Sequence, residues 1–306
     1  MVPGKGGISG FIRRYTLVAF RMKKTLFAAG AVVLAMLIST PGHGQTFPKG
    51  TAVHYPPRNP VEQAAQTPTT LGGRKKALAR VLGQIREFRL KTDPEYASLI
   101  GDKRYDAELT DYSVVAYEQW LARYNEFLLE LAPIDTTGMT AKEQASKSKM
   151  MQWLMQQQQR AESKPWQEPV TADSGLPFEL PELATELKFD SAKDYDDYIA
   201  RLKKVPTAFQ QITDDMTAGE LDGRSYSPAM LAKVLAQVQA VDSQKPEASE
   251  FAAPLGHFPA SVSKAEQARI QKAVLAAISK SVFPAYERFG RFVEGLMKTS
   301  QTKVHP

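Results

Sequence analysis

The sequence predicts an all-α protein: a multi-helix array with short polar corners and no substantial sheet. Three observations carry this. Apolar residues recur at helical spacing in long stretches, as at Leu78, Val81, Leu82, Ile85 and Phe88, the i, i+3, i+4, i+7 stripe of an amphipathic helix. Helix-start signals recur: Thr140-Ala141-Lys142-Glu143 and Ser263-Lys264-Ala265-Glu266 both fit the capping box, in which hydroxyl and carboxylate satisfy each other's orphan N–H groups. Strict apolar/polar alternation, the strand signal, and fixed-period repeats are missing.

Taken in order, residues 1–44 read as a targeting leader. Lys23-Lys24 precedes an apolar core from Leu26 to Ile38, short for a span of about 20 residues and suited to a signal peptide. Pro41 breaks the run, and Gly42-His43-Gly44 offers small residues for cleavage before Gln45. Met22 is an alternative start, and an uncleaved anchor is the competing reading. All six basic residues of the leader lack an acidic counterpart, so the net charge of +6 belongs to it; from Gln45 onward basic and acidic residues are equal in number. A neutral body gives no basic face for nucleic acid, and contact with membrane is expected only through the leader.

Residues 45–73 are rich in Pro, Gln and Thr and read as a flexible tether. The helical domain is expected over 74–300. Asp93-Pro94 opens a short helix and Gly101 ends it with positive φ. Ser113 caps a helix carrying Tyr117, Leu121, Tyr124, Leu128 and Leu131. Thr140 opens the next, through the glutamines at 156–159. Four prolines in 163–190 predict an irregular excursion. Ser191 caps "AKDYDDYIARLKKV", Pro206 opens a new helix, and Ser227-Pro228 another. Ser263 begins what reads as the longest helix, with Ile270, Val274, Ile278 and Val282 inward and a kink at Pro284. The last helix keeps an apolar face (Phe283, Tyr286, Phe289, Phe292, Leu296) that the sequence leaves without an obvious partner.

Chemistry is sparse. The chain has no cysteine, which excludes disulfides, thiolate metal sites, a cysteine nucleophile and a lipidated N-terminal cysteine. Beyond the leader the histidines are His54, His257 and His305, none with the i+4 partner of a helical zinc site. Ser146-x-x-Lys149 and Ser261-x-x-Lys264 match a serine-activation tetrad, but the accompanying elements of penicillin-recognising enzymes are missing. The acidic pairs Asp194/Asp196/Asp197 and Asp214/Asp215 read best as solvated helix starts, and Tyr195, Tyr198 and Ile199 as core.

That leaves "DPEYASLIGDKRYDAELTDYS", residues 93–113. Asp102, Arg104 and Asp106 can pair with one another and with exposed backbone, and the tyrosines can bury rings while wetting hydroxyls. Asp102, Arg104, Tyr105 and Asp106 are therefore the candidate site: a packed polar corner or a substrate contact. The stretch resembles the N-terminal signature of the bacterial domain of unknown function 885 family, with its Asp-Pro helix start, Gly-Asp-x-Arg-Tyr-Asp corner and downstream Asp-Tyr-Ser. "ELPELATELKFDSAKDYDDYIARLKKVP", "AMLAKVLAQV" and "VFPAYERFGRFVEG" follow in the family's order, so the resemblance spans residues 74–297. It implies an exported helical protein, roughly twice this length in complete members. It also implies chemistry similar to that of zinc-dependent peptidases, with a His-Glu-x-x-Pro-Gly-His motif in a second half. No position here matches that motif, so no catalytic residue, metal ligand or cofactor is carried over. The expected partners are a following or separately encoded second half, or a peptide. The expected function is the helical portion of an exported metallopeptidase-like protein, inactive alone. The alternative is a self-sufficient periplasmic helical protein that binds a peptide or partner.

Overall fold

The computed structural model describes residues 68–302; the leader and most of the tether lie outside them. Among the described residues there are nine α-helices and no strand. The first, α1 (Leu71–Thr92), starts on Thr70, whose Oγ1 accepts from Gly73 N at 3.1 Å. Asp93 ends α1 and starts α2 (Pro94–Leu99): its N–H reaches Arg89 O, while its carboxylate accepts from Tyr96 N at 3.0 Å. Gly101 then turns with φ 86 as expected, a region that costs any residue with a Cβ. A 3-10 turn (Lys103–Tyr105) leads to α3 (Val114–Leu131), capped by Ser113 Oγ. Then comes α4 (Ala141–Ala161), whose Thr140/Glu143 box is complete, Thr140 N donating to Glu143 Oε2 at 2.7 Å.

Helices α1, α3 and α4 enclose a first core of Leu78, Val81, Ile85, Phe127, Leu131, Ile134, Met139 and Leu154. Its rim is aromatic: Tyr124 meets Phe88 and Trp153 edge-on at 5.8 and 5.2 Å, and the Arg89 guanidinium lies 4.8 Å over Trp153. Such offset and cation–π contacts each contribute on the order of 1 kcal/mol beyond burial.

A second core is built by α5 (Leu176–Glu186), α6 (Ala192–Leu221), α7 (Pro228–Asp242), α8 (Lys264–Ala277) and α9 (Phe283–Thr302). Three sequence expectations are corrected here. The stretch 163–190 is not wholly irregular, because it holds α5. There Pro177 sits in the first turn, where no N–H is needed, and Leu176, Leu180, Leu183 and Ala184 are buried despite Pro181. Gly175 starts α5 with φ 104, and a Cβ there would lie 2.6 Å from Pro169 O. Pro206 does not open a new helix; α6 runs through it as the longest α-helix described, 30 residues. Burial of Leu202, Val205, Ala208 and Phe209 around it outweighs the lost backbone bond and ring clash, about 3 kcal/mol. The Ser263 box is half-formed: Ser263 Oγ accepts from Glu266 N, but the Glu266 carboxylate faces Arg269. At Pro284 the helix runs on without a break. A π-helical turn (Ile278–Val282) precedes it, with Phe283 N reaching Ile278 O, and helix resumes at once. A widened turn is where a chain accommodates a residue that cannot donate.

The apolar face of α9 has a partner within the chain. Ala285, Tyr286, Phe289, Val293 and Leu296 are buried, mainly against α7 and α6, and Gly290 lets α9 approach Val238 closely. Tyr286 Oη donates to Pro177 O at 3.1 Å. Tyr195, Tyr198 and Ile199 are core, as expected.

Candidate functional site

The corner after α2 wraps around one side chain of α6. Along α6 the buried residues Asp194, Tyr198, Arg201, Val205, Ala208 and Ile212 follow helical spacing, so Arg201 occupies a core position in an otherwise mainly apolar stripe. It is 2% exposed. Its Nε donates to Glu108 O at 2.8 Å; its Nη2 donates to Ser98 Oγ at 2.7 Å and to Tyr105 O at 3.0 Å. Asp106 Oδ1 lies 3.8 Å from Nη2 and accepts from Ser98 Oγ. Nη1 is buried with no hydrogen-bond partner. Burial pulls the Arg201 pKa down, against the opposing fields of Glu95, Asp106, Tyr198 and Glu108. The charge is thus held mostly by neutral carbonyls and a hydroxyl, with a carboxylate just beyond contact.

The four residues singled out in the sequence fall on two sides of this corner. Asp106 and the Tyr105 carbonyl face inward to Arg201. Asp102 and Arg104 face outward: Arg104 is gripped by Asp102 (Nε 2.8 Å, Nη2 2.7 Å) and by Glu87 of α1 (2.9 Å to each oxygen), and Tyr105 Oη donates to Glu87. The hydrogen bonds from Arg104 hold Asp102 down to about 2, and those from Arg104 and Tyr105 hold Glu87 below its ordinary value. In turn Glu87 raises the Tyr105 phenol.

Further contacts fasten the corner to the second core. Lys103 Nζ bridges Asp190 and Asp194 at 2.7 Å each. Asp194 is therefore no solvated helix start, contrary to expectation; it is buried, and it also accepts from Asp190 N and Ser191 N. Burial would raise its pKa, but Lys103 and these N–H groups prevail and lower it. Lys204 pairs with Glu108, and Gln211 receives Tyr112 N and donates to Asp111. Asp196 and Asp197 do lie at the surface side of α6, paired with Arg269 and Lys193. Asp215, expected in solvent, is 4% exposed, and burial together with Asp214 raises it to about 7.

Neither serine tetrad is assembled: Ser146 Oγ donates to Lys142 O and Ser261 Oγ to Asp190 O. His257 is exposed, while His54 and His305 lie outside the described residues. Among the described residues no three His, Asp or Glu side chains converge to hold a metal ion, so they do not fit a catalytic zinc, which takes three protein ligands. Nor is any described helix long and apolar enough to cross a membrane. Sequence reading missed Arg201, Ser98, Glu108 and Glu87. Only Arg201 carried a signal, an arginine at a stripe position.

The model for the family described as "Bacterial protein of unknown function (DUF885)" matches residues 94–305. The chain belongs to this family. The DUF885 match begins at Pro94, the first residue of α2, so the corner lies at its start. No curated protein matches. Among solved structures the DUF885 chain is similar to "the putative lipoprotein from Colwellia psychrerythraea", with a TM-score of 0.63 and 17% identity. The match covers 74% of this chain and 42% of that one. The chain thus spans less than half the length of that solved relative, with which it shares the fold.

Proposed function

We propose that this DUF885 chain is the helical, non-catalytic portion of an exported zinc-peptidase-like protein and is inactive by itself. One observation carries the reading: the residues that mark the family are already engaged by side chains of the protein itself. Arg104 pairs with Asp102, Tyr105 with Glu87 and Asp106 with Ser98, and among the described residues no donor set for a metal stands near them. The corner then acts as a brace holding α1 and α2 to α6. Export is supported by Lys23-Lys24 with its apolar core and by the description of the similar solved protein as a lipoprotein.

The test is metal content and peptide cleavage by the purified full chain, alone and with the remaining part of a longer family member supplied in trans. Cleavage is expected only in the second case. Stoichiometric zinc together with cleavage by the chain alone would overturn the reading. A second reading, a self-sufficient peptide- or partner-binding protein, draws on the packing of α9, whose apolar face is already covered from within. A folded monomer with no response to the added part would favour it.

A further inference from the structure

The far end of α4 and the far end of α6 meet at a second polar feature, a cleft of about 400 Å³. Both helices leave through left-handed residues: Lys164 at φ 47 and Gly223 at φ 86. Among the described residues Lys164 is the one non-glycine with positive φ, a conformation an L-residue enters only against a steric cost. From there its Nζ crosses the cleft to Asp222 Oδ2 at 2.5 Å, both side chains about half-exposed. The Gln167 side chain, 4% exposed, donates to the same Oδ2 at 2.7 Å and fixes the carboxylate. These two hydrogen bonds hold the Asp222 pKa low.

The other cation of the cleft is already saturated. Arg224 donates to Gln167 Oε1 at 2.7 Å, to Glu168 at 2.6 Å and to the Ser163 carbonyl. Asp222 Oδ1 and the exposed Glu162 carboxylate have no hydrogen-bond partner among the described residues. Two helix C-termini, each carrying partial negative charge, add to these spare acceptors.

We propose that this cleft is a binding site for a primary ammonium group, with the Lys164 side chain as its internal occupant. The cleft already holds one such group, tethered to a backbone position that favours glycine. An incoming ammonium would take its place on Asp222 and reach Glu162, which also lines the cleft, while Lys164 swings into solvent. Ammonium of this kind occurs at a peptide amino terminus and on a lysine side chain.

The experiment titrates the ¹⁵N-labelled full chain with three probes, following the Gly223 and Arg224 amide resonances. The probes are trialanine amide, its N-acetylated form, and N-acetyl-lysine methylamide. The two cationic probes should shift these resonances and the acetylated tripeptide should not; whichever cationic probe binds tighter identifies the source. Glu162→Gln should weaken binding by about threefold, the scale of one exposed ion pair. Lys164→Gly should tighten it by at least as much, since it removes the internal competitor and suits the left-handed backbone; Lys164→Asn is a second uncharged residue tolerant of that conformation. Equal shifts from the acetylated probe, or affinity unchanged or weakened in both Lys164 variants, would overturn the proposal.

Discussion

Arg104 and Arg201 belong to the same corner and are held in opposite ways. Arg104 makes four hydrogen bonds to two carboxylates with its side chain 56% exposed. Arg201 makes its short bonds to two carbonyls and a hydroxyl and is 2% exposed. By partner count Arg104 looks the more important. By desolvation the order reverses: water replaces the lost partners of an exposed charge, whereas a buried cavity leaves carbonyls without donors and a carboxylate without its counter-charge. The sequence drew attention to the wrong arginine because clustered charge is conspicuous, while a single charge on an apolar stripe is not.

The comparison can be broken at its strong end first. Arg201→Ala should lower stability by about 3–5 kcal/mol in denaturant titration. Arg201→Met should cost less, because it refills the volume. A parent-like melt for Arg201→Ala would mean the corner is not the brace described here. Asp215→Asn extends the test to a buried acid. With its pKa raised from 3.8 to about 7, Asp215 contributes stability that is full below pH 3.8 and is lost as pH rises through about 7. Above that pH the Asn variant should therefore melt higher than the parent, with the gap closing under acid. Asp93, raised to about 6 by burial, tilts both proteins alike, so the difference between them is the readout. Lys103→Ala, which frees one buried and one exposed carboxylate, should cost about 1 kcal/mol in the same titration. Arg104→Ala should have the smallest effect, a slight fall in melting temperature that disappears in molar salt, where exposed pairs are screened.

The helix starts at Asp93, Ser113 and Thr140 were legible because a cap is a local transaction between residues three apart. The Ser263 start was legible too, though not that Arg269 would claim Glu266. Proline was misread at two places for one reason: its cost is local, but what decides is whether the flanking residues are buried, and Leu180, Val205 and Phe209 are contributed to a core assembled from distant helices. The apolar face of α9 looked unpartnered because its partner, α7, begins more than fifty residues upstream. At the site, Asp102, Arg104, Tyr105 and Asp106 were legible as a corner. Glu87 and Arg201, which divide that corner into an outer and an inner face, are non-local in sequence.

The π turn at Ile278–Val282 has a consequence for how the length of this segment can vary. Each α-helical residue advances the chain by about 100°, so the five-residue turn sets the angular phase between α8 and α9. A π turn takes one residue more than an α turn to close, so deleting one residue there should let the turn revert to α-helix and keep Tyr286, Phe289 and Val293 buried. Ser279 and Lys280 are exposed and should accept almost any side chain. Loss of one residue is absorbed by the closing turn, whereas an added residue finds no such slack and would rotate α9 by about 100°.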